Sequence, residues 1–445
     1  MSHQQTFQQL SAQLSALAGP GELISAYWQA ESSSFVRFTQ GLIRQSGSVE
    51  QRELSLSLTS ERRRASVELT LSGHDAEDQR RLEAGLSWLR ELISALPEDP
   101  HLPPAPEPSV ALSPSLVSDG SGPKEAAEAM SAVLAMGSGL DLVGILMSGV
   151  VSRGVMNSEG LLKWSERPVH QLDWSVVQSA DRAVKCGWSG ERWSLHEIEA
   201  KMSEARAQLE ALSRPAHQLQ PGLVRALLSP SAVHELFSTL NVWGGWSAQA
   251  SREGRSPLAQ LEAGEASFSS LINVAESAAG AAPAFERDGH ERPSSALIQE
   301  GRWGGALVSP RSALQYGLSS TGASEGEHAQ TLEVQGGSLA IAQGLEALGT
   351  GVYVSDLWYL NFSDRARACV TGTTRFATMW VEGGQVVAPL AVMRFDDCLY
   401  ELLGERLEAL SAERALEMSA STYGRRSLMS TLCPAALCSG LRFTL

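Results

Sequence analysis

VYVSDLWYLNFSDRARACVTGTTRFATMWVEGGQVVAPLAVMRFDD, at Val352–Asp397, is the stretch that decides the fold of the C-terminal half. β-Branched and aromatic residues concentrate in Val352–Leu360 and Phe376–Val381, which predicts two strands, and Gly383–Gly384 predicts a tight turn after the second. The segment between the strands, Asn361–Arg375, is too polar for a core and predicts an exposed loop. Because loops framed by rigid strands often carry binding groups, this loop is a candidate functional element.

The rest of the chain alternates between helical and strand patterns. Leu54, Leu56 and Leu58 alternate with polar residues, which is typical of a half-buried antiparallel strand. The predicted helices, several with leucines at helical spacing, are Gln5–Leu17, Asp75–Leu96, Lys124–Met136, Leu195–Leu212, Pro230–Leu240 and Phe395–Leu410. The other predicted strands are Leu23–Gln29, Ser34–Phe38, Glu53–Leu58, Ala65–Leu71, a bent pair within Leu140–Asn157, Leu172–Val177, Arg182–Trp188 and Leu223–Leu228.

These patterns predict an α+β fold in three segments. An N-terminal domain at residues 1–97 combines helices with an antiparallel sheet. Eight prolines within Pro97–Pro123 predict an extended connector, which opens a linker and central domain at residues 98–216. A large β-rich C-terminal domain is predicted at residues 217–445.

Composition narrows the functional classes. The chain has 445 residues and a net charge of −15, which disfavours binding to the phosphate backbone of nucleic acid. No run approaches the roughly 18 apolar residues that a membrane helix needs, and the N-terminus lacks the pattern of a signal peptide. These observations predict a cytoplasmic protein that does not bind membranes. The five cysteines are irregularly spaced without a CxxC, which predicts buried thiols rather than a disulfide framework.

Motifs for metal binding and hydrolysis are incomplete. A short-range zinc site needs two histidines about one helical turn apart with a glutamate, but the closest two of the nine histidines, His217 and His234, are far too widely spaced. His234-Glu235 lies on a predicted helix, where Ser238 and Thr239 occupy the positions of a second imidazole. His234 and Glu235 are therefore incomplete candidates for catalysis, and no Walker A sequence occurs.

Three parts of the quoted stretch resemble the TldD/PmbA family, in which PmbA is also called TldE and whose members were once described as modulators of DNA gyrase. They are LWYLNFSD at Leu357–Asp364, TGTTRFATMWVEGG at Thr371–Gly384 and VVAPLAVMRFDD at Val386–Asp397. A looser likeness covers Val36–Leu58 and the closing LRFTL. The resemblance implies a peptide-processing role in which a zinc-bearing TldD subunit pairs with a TldE subunit that lacks the metal.

The resemblance also indicates the type of subunit. TldD proteins carry an HExxxH motif and a downstream cysteine, whereas Thr239 stands here at the second histidine. The chain is therefore more similar to the TldE/PmbA type, with zinc expected in a TldD-like partner and no cofactor in this chain. The implied function is a non-catalytic subunit of a TldD/TldE-type metallopeptidase complex that degrades or processes unfolded peptides. Two alternatives stay open: a homodimeric peptide-binding scaffold without a protease partner, and a self-sufficient metallopeptidase with an atypical zinc site at His234, Glu235 and Cys369.

Aromatic and polar residues supply candidate contact surfaces. The tryptophans around Trp358-Tyr359 can line a peptide groove or a subunit interface, or they can pack in the core. The arginines of the predicted loop can form an ion-pair network with Asp364 or clamp a peptide carboxylate, and Cys369 can be a reactive thiol or a half-buried cysteine. The candidates for contact with a substrate or partner are Trp243, Trp246, Trp358, Tyr359, Asn361, Asp364, Arg365, Cys369, Thr371 and Arg375.

Overall fold

The computed structural model describes residues 2–113, 123–179 and 182–444 and arranges them around two β-sheets. The elements of the first sheet and its helices are α1 (His3–Ala16), β1 (Leu23–Thr39), β2 (Leu42–Ser60), β3 (Arg63–Thr70), α2 (Asp75–Ile93), β4 (Val110–Leu112), α3 (Pro123–Met136), β5 (Asp141–Asn157), β6 (Leu162–Ser179), β7 (Arg182–Gly190) and α4 (Leu195–Leu212). Those that follow are β8 (Gly222–Leu228), α5 (Pro230–Val242), α6 (Ala248–Arg252), α7 (Ala259–Glu262), β9 (Val274–Glu276), β10 (Ser295–Gln299), β11 (Arg302–Trp303), α8 (Pro310–Tyr316), β12 (Thr331–Val334), α9 (Gly344–Leu348), β13 (Gly351–Val354), β14 (Trp358–Asp364), β15 (Cys369–Thr373), β16 (Thr378–Glu382), β17 (Gln385–Pro389), β18 (Arg394–Cys398), β19 (Leu407–Met418) and β20 (Ser430–Phe443), with a 3₁₀ turn at Ile341–Gln343 and a π-helical turn at Glu401–Glu405.

The first sheet has seven strands in the order β3-β2-β1-β5-β6-β4, and β7 pairs with β6. Its pairings are antiparallel except for the parallel β4–β6 pair. Leu54, Leu56 and Leu58 of β2 are buried with Leu86 and Leu89 of α2 in one core, as expected from their alternation along the strand. The strands of the predicted N-terminal and central segments share this sheet, and the division of the chain into three domains stays a prediction.

The second sheet has thirteen strands, with the order β11-β10-β9-β12-β20-β8-β13-β16-β17 and the strands β14, β15, β18 and β19 attached to it. Helix α5 packs on this sheet and fully buries Leu236, Phe237 and Leu240 in the largest core. The prediction of an α+β fold with a β-rich C-terminal part is confirmed. Within the described ranges, no helix is long and apolar enough to cross a membrane.

The strands of the first sheet are longer than predicted. Leu23–Gln29 and Ser34–Phe38 belong to the single strand β1, and Leu140–Asn157 is not a bent pair but one strand, β5. Gly149 does not mark a bend: a Cβ there would lie 2.1 Å from the carbonyl oxygen of Ser32. The glycine permits close approach of the neighbouring strand, which is the other common reason for glycine within a strand.

Two predictions in the C-terminal half are wrong. Phe395–Leu410 forms no regular helix, because Phe395 pairs with Gly372 and Phe443 in the sheet, the π-helical turn follows, and β19 begins at Leu407. Asn361–Arg375 is mainly not a loop but a hairpin of β14 and β15. Its polar side chains are compatible with strands because β14 lies on the surface and has exposed residues on both faces. The part of the proline-rich connector at residues 114–122 lies outside the described residues.

Candidate functional site

Helix α5 places His234 and Glu235 at a cleft between the two sheets. Ser229 caps the helix by accepting a hydrogen bond from the backbone N–H of Ala232 at 3.1 Å, and Pro230 occupies the first turn. Such a start is favourable because a serine oxygen satisfies an otherwise unpaired N–H, while proline has none to satisfy. With Leu236 and Phe237 fixed in the core, the opposite face of the helix lines the cleft.

The first part of this cleft, here called the acidic chamber, is a cavity of about 310 Å³ between β6, β7, α5 and β19. Its acidic and basic lining residues are Asp173, Lys185, His234, Glu235, Asp356 and Glu417. Lys185 Nζ lies 3.8 Å from Asp356 Oδ2, and Ser231 Oγ donates a hydrogen bond to Glu417 Oε1 at 2.7 Å. Four carboxyl groups therefore surround one lysine.

Burial changes the protonation of this chamber. Burial raises the pKa of Asp356 to about 7, and the neighbouring Glu235 and Glu417 add to the rise while Lys185 opposes it. Burial disfavours the charged form of Lys185, but Asp356 and the other carboxylates outweigh it and raise the lysine pKa. Burial lowers the pKa of His234, which keeps its imidazole neutral at pH 7. The chamber thus contains a charged lysine, a neutral histidine and a carboxyl group that titrates near neutrality.

Several buried polar atoms of the chamber have no hydrogen-bond partner. They are Nδ1 of His234, Oδ1 of Asp356 and Oγ of Ser189. Asp356 is only 4% exposed, so its free oxygen is also shielded from bulk water. An unpaired polar atom in such a position is costly to the folded state. This arrangement is typical of a site that is completed by a ligand or by water.

A second cavity of about 630 Å³, here called the apolar chamber, adjoins the first. The two chambers share Lys185, Cys186, Gly187, Ser231 and Glu417 as lining residues. The apolar lining of the second chamber comes from α4, β8, α9, β13, β16 and β17 and includes Ala211, Leu227, Leu345, Tyr353, Met379 and Val386. Both volumes lie in or near the range of small-molecule and peptide pockets, which is about 300–1,000 Å³.

The residues predicted from the quoted stretch lie on the β14–β15 hairpin or, for Arg375, just after it, and not around the two chambers. Arg365 stacks over Trp243 at 5.3 Å and donates to its carbonyl oxygen at 2.5 Å, and Arg375 lies 5.2 Å from the ring centre of Trp358. Tyr359 is 82% exposed. These contacts form a surface patch of aromatic and arginine side chains.

Other candidates have structural contacts. Trp246 is 1% exposed and belongs to the core, which is the core-packing alternative that the sequence leaves open for the tryptophans. Asn361 accepts from the backbone N–H of Phe362 at 2.8 Å, and Thr371 donates to the carbonyl of Phe395 at 3.0 Å. Asp364 accepts from the backbone N–H of Arg367 at 3.2 Å. Across the described part of the chain, no ion pair joins Asp364 to an arginine of the hairpin, so the predicted ion-pair network is absent there.

The comparison with known proteins assigns the family. Residues 221–445 match the family model of the PmbA/TldA metallopeptidase C-terminal domain. The chain belongs to the TldD/PmbA family. The resemblance found in Val352–Asp397 is thereby confirmed.

Solved structures of this fold cover the whole chain. TldE from Thermococcus kodakarensis is similar with a TM-score of 0.80 at 15% identity, over 99% of this chain and 100% of that one. A putative modulator of a DNA gyrase from Thermotoga maritima has a TM-score of 0.78 at 13% identity, over 98% of this chain and 100% of that one. A putative modulator of DNA gyrase from Bacteroides thetaiotaomicron has a TM-score of 0.74 at 15% identity, over 100% of this chain and 99% of that one. No curated protein sequence matches the chain.

The family implies a zinc site in TldD-type members, but the residues that the structure describes do not fit one. The predicted third ligand, Cys369, is bonded through sulfur to Cys398, which stands directly opposite it in the β15–β18 register. The prediction of a free thiol at Cys369 is therefore wrong, whereas Cys433 and Cys438 are buried free thiols. Among the described residues, no three His, Cys, Asp or Glu side chains are arranged to hold a metal ion. His234 and Glu235 consequently lack the thiolate that an atypical zinc site would need.

Sequence reasoning missed most of the charged residues of the acidic chamber. Asp173, Lys185 and Glu417 come from three strands that are distant in the chain, and no local motif connects them. One signal is present, because Lys185 is one of only four lysines in the sequence and, apart from Arg182 at its first position, β7 has no other charged residue. Asp356 lies inside the quoted stretch, but the pattern there predicts a strand at Val352–Leu360 and gives no sign of a buried acidic site.

The raised pKa of Asp356 leads to a prediction for stability against pH. Between the ordinary pKa of 3.8 and the folded value of about 7, the folded chain keeps a proton that the unfolded chain has lost. The stabilisation is present below the lower value and is lost as the pH rises through this window. As the pH rises from 5 to 8, the unfolding free energy of Asp356→Asn is therefore expected to increase by about 2–4 kcal/mol relative to that of the parent. The size follows because one pKa unit corresponds to about 1.4 kcal/mol.

Urea unfolding at several pH values measures this difference. Asp364→Asn is the matched control, because Asp364 is exposed on the hairpin and should keep the parent profile. Parallel profiles for Asp356→Asn and the parent would contradict the prediction.

Proposed function

We propose that this chain is the non-catalytic, TldE/PmbA-like subunit of a TldD/TldE-type metallopeptidase complex that processes unfolded peptides in the cytoplasm. The observation that carries the proposal is the composition of α5. This helix brings His234 and Glu235 to the cleft of a TldD/PmbA-family chain, yet Ser238 lines the same cleft and no imidazole follows within the helix. One histidine and one glutamate alone are too few ligands to hold a zinc ion that activates a water molecule for hydrolysis.

The cleft supports a role in holding peptides. Its two adjoining chambers provide charged and apolar linings within reach of one extended ligand. The zinc and the hydrolytic step are assigned to a TldD-like partner, with this chain contributing a peptide-binding surface. Such a division between subunits requires that neither subunit alone performs the complete reaction.

The test is reconstitution from separately purified subunits. A TldD-like metallopeptidase and this chain are mixed, and complex formation, zinc content and hydrolysis of an unfolded peptide are measured for each subunit and for the mixture. We expect zinc in the partner only, and chelator-sensitive hydrolysis that rises at least about tenfold on mixing, equivalent to about 1.4 kcal/mol.

Two results would overturn the proposal. One is stoichiometric zinc in this chain together with hydrolysis by this chain alone that a chelator abolishes. The other is the absence of any complex with the TldD-like protein, in which case a homodimeric peptide-binding scaffold is the better description.

A further inference from the structure

The acidic chamber has more negative than positive groups, and one of its carboxyl oxygens is unpaired. Among the described lining residues, Asp173, Glu235, Asp356 and Glu417 are accompanied by one basic side chain of full charge, that of Lys185. The lysine approaches Oδ2 of Asp356, while Oδ1 is buried without a partner. Since a buried carboxylate is stabilised mainly by an opposite charge that also donates hydrogen bonds, the chamber is complementary to a second cation.

The chemistry of the chamber selects the kind of cation. Within the described ranges, its carboxyl groups do not converge as three ligands on one point, as a metal ion would require. An ammonium or guanidinium group instead spreads several donors over separate acceptors. The neutral imidazole of His234 offers a further unpaired buried nitrogen, Nδ1, for such a group.

The apolar chamber begins where the acidic chamber ends. Gly187 lines both, and a Cβ at this position would lie 3.6 Å from Glu417 Oε2. A larger side chain would therefore narrow the junction between them. A ligand that enters both chambers needs a cationic group and an apolar group held a short distance apart on one backbone.

We propose that the cleft binds an extended peptide with a basic side chain in the acidic chamber and an apolar side chain in the apolar chamber. This assignment rests on the proposed peptide-handling function and adds the class of sequence that the subunit selects. The contacts with Asp356 and Glu417 set the preference for charge, and those with Leu227, Tyr353 and Val386 set the preference for apolar groups. The basic group can be a lysine or arginine side chain or the free amino terminus, which share the same chemistry.

Fluorescence anisotropy with labelled hexapeptides tests the proposal on the full-length chain and on its mixture with a TldD-like partner. Peptides of the first three sets have blocked termini, and those of the first set carry one lysine and one leucine, one to three residues apart. Norleucine replaces lysine in a second set and serine replaces leucine in a third. A fourth set has norleucine and a free amino terminus. We expect about tenfold weaker binding when either the charge or the apolar side chain is lost, and the fourth set identifies the amine if it restores binding.

Two variants assign these preferences to the chambers. Asp356→Asn should remove the preference for lysine over norleucine and keep the preference for leucine over serine. Ala207→Trp should keep the preference for lysine over norleucine and remove the preference for leucine over serine. Ala207 is an exposed residue of α4 that lines the apolar chamber, where an indole would occupy the space. Circular dichroism spectra like that of the parent, and melting temperatures that are not lower by more than a few degrees, establish that both variants fold.

The outcomes separate this proposal from the proposed function. Equal affinity for the lysine and norleucine peptides, or an unchanged lysine preference in Asp356→Asn, would overturn the assignment of the acidic chamber. Chelator-sensitive hydrolysis by the mixed subunits is measured on the same samples and reports only on the proposed function. Either proposal can therefore fail while the other holds.

Discussion

Arg292→Ala is expected to lower the free energy of unfolding by about 3–5 kcal/mol, the usual cost of breaking a buried ion pair from one side. Arg292 is 2% exposed, and its Nη1 lies 2.6 Å from Oε1 of Glu276, itself 1% exposed. The guanidinium also donates to the carbonyl of Pro283 at 2.8 Å and lies 3.7 Å from Glu286. Burial already raises the pKa of both glutamates, against the effect of the arginine. Without Arg292, two carboxyl groups would remain buried with no cation between them.

Denaturant unfolding with and without the substitution measures this effect. Arg302→Ala is the control, because Arg302 is exposed on the neighbouring β11 and surface substitutions usually change stability by less than about 0.5 kcal/mol. The double variant Arg292→Met with Glu276→Gln should lose less free energy of unfolding than Arg292→Ala, since it removes both charges of the pair. A loss below about 1 kcal/mol for Arg292→Ala would show that water or another cation replaces the arginine.

Phe237→Ala is expected to lower the free energy of unfolding by a similar 3–5 kcal/mol, roughly the range for large-to-small changes of buried aromatic residues. Phe237 has 0% exposure at the centre of the largest core, between Leu236 and Leu240 on α5. The loss has two parts, the burial of the ring and the cavity that remains when it is removed. Because the same helix carries His234 and Glu235, the acidic chamber should also lose its geometry.

Thermal and denaturant unfolding measure the stability of this variant, and the peptide-binding assay measures the chamber. Val242→Ala, at the end of the same helix, is the matched control because Val242 is 53% exposed. It should change the free energy of unfolding by less than about 0.5 kcal/mol. If Phe237→Ala and Val242→Ala had the same stability, α5 would not be held by its apolar face as argued.

Local patterns in the sequence predicted several elements well. The helix predicted at Leu195–Leu212 is α4 with the same ends, and the turn at Gly383–Gly384 joins β16 to β17. These elements are specified by neighbouring residues: apolar side chains at helical spacing in the first case, and two glycines with positive φ in the second. The family was recognisable for the same reason, because its distinctive segments are continuous in the chain.

Predictions failed where partners distant in the chain decide the structure. Phe395–Leu410 has apolar residues compatible with a helix, but β15 and β20 pair with Phe395 and make its segment a strand. The disulfide between Cys369 and Cys398 depends on the register of β15 against β18, which spacing alone does not reveal. The tertiary pairing of strands overrides local propensity at these positions.

The sequence by itself determined the fold class, the family and the incomplete zinc motif at His234-Glu235, since each depends on residue types at short spacing. Only the tertiary structure decided where binding chemistry is concentrated. It places Arg365 and Arg375 at the surface against tryptophans, and it brings Asp173, Lys185, Asp356 and Glu417 together around one cleft. The physical reason is that burial and opposite charge act through space, so a carboxyl group such as that of Asp356 acquires its unusual pKa only when distant strands and α5 enclose it.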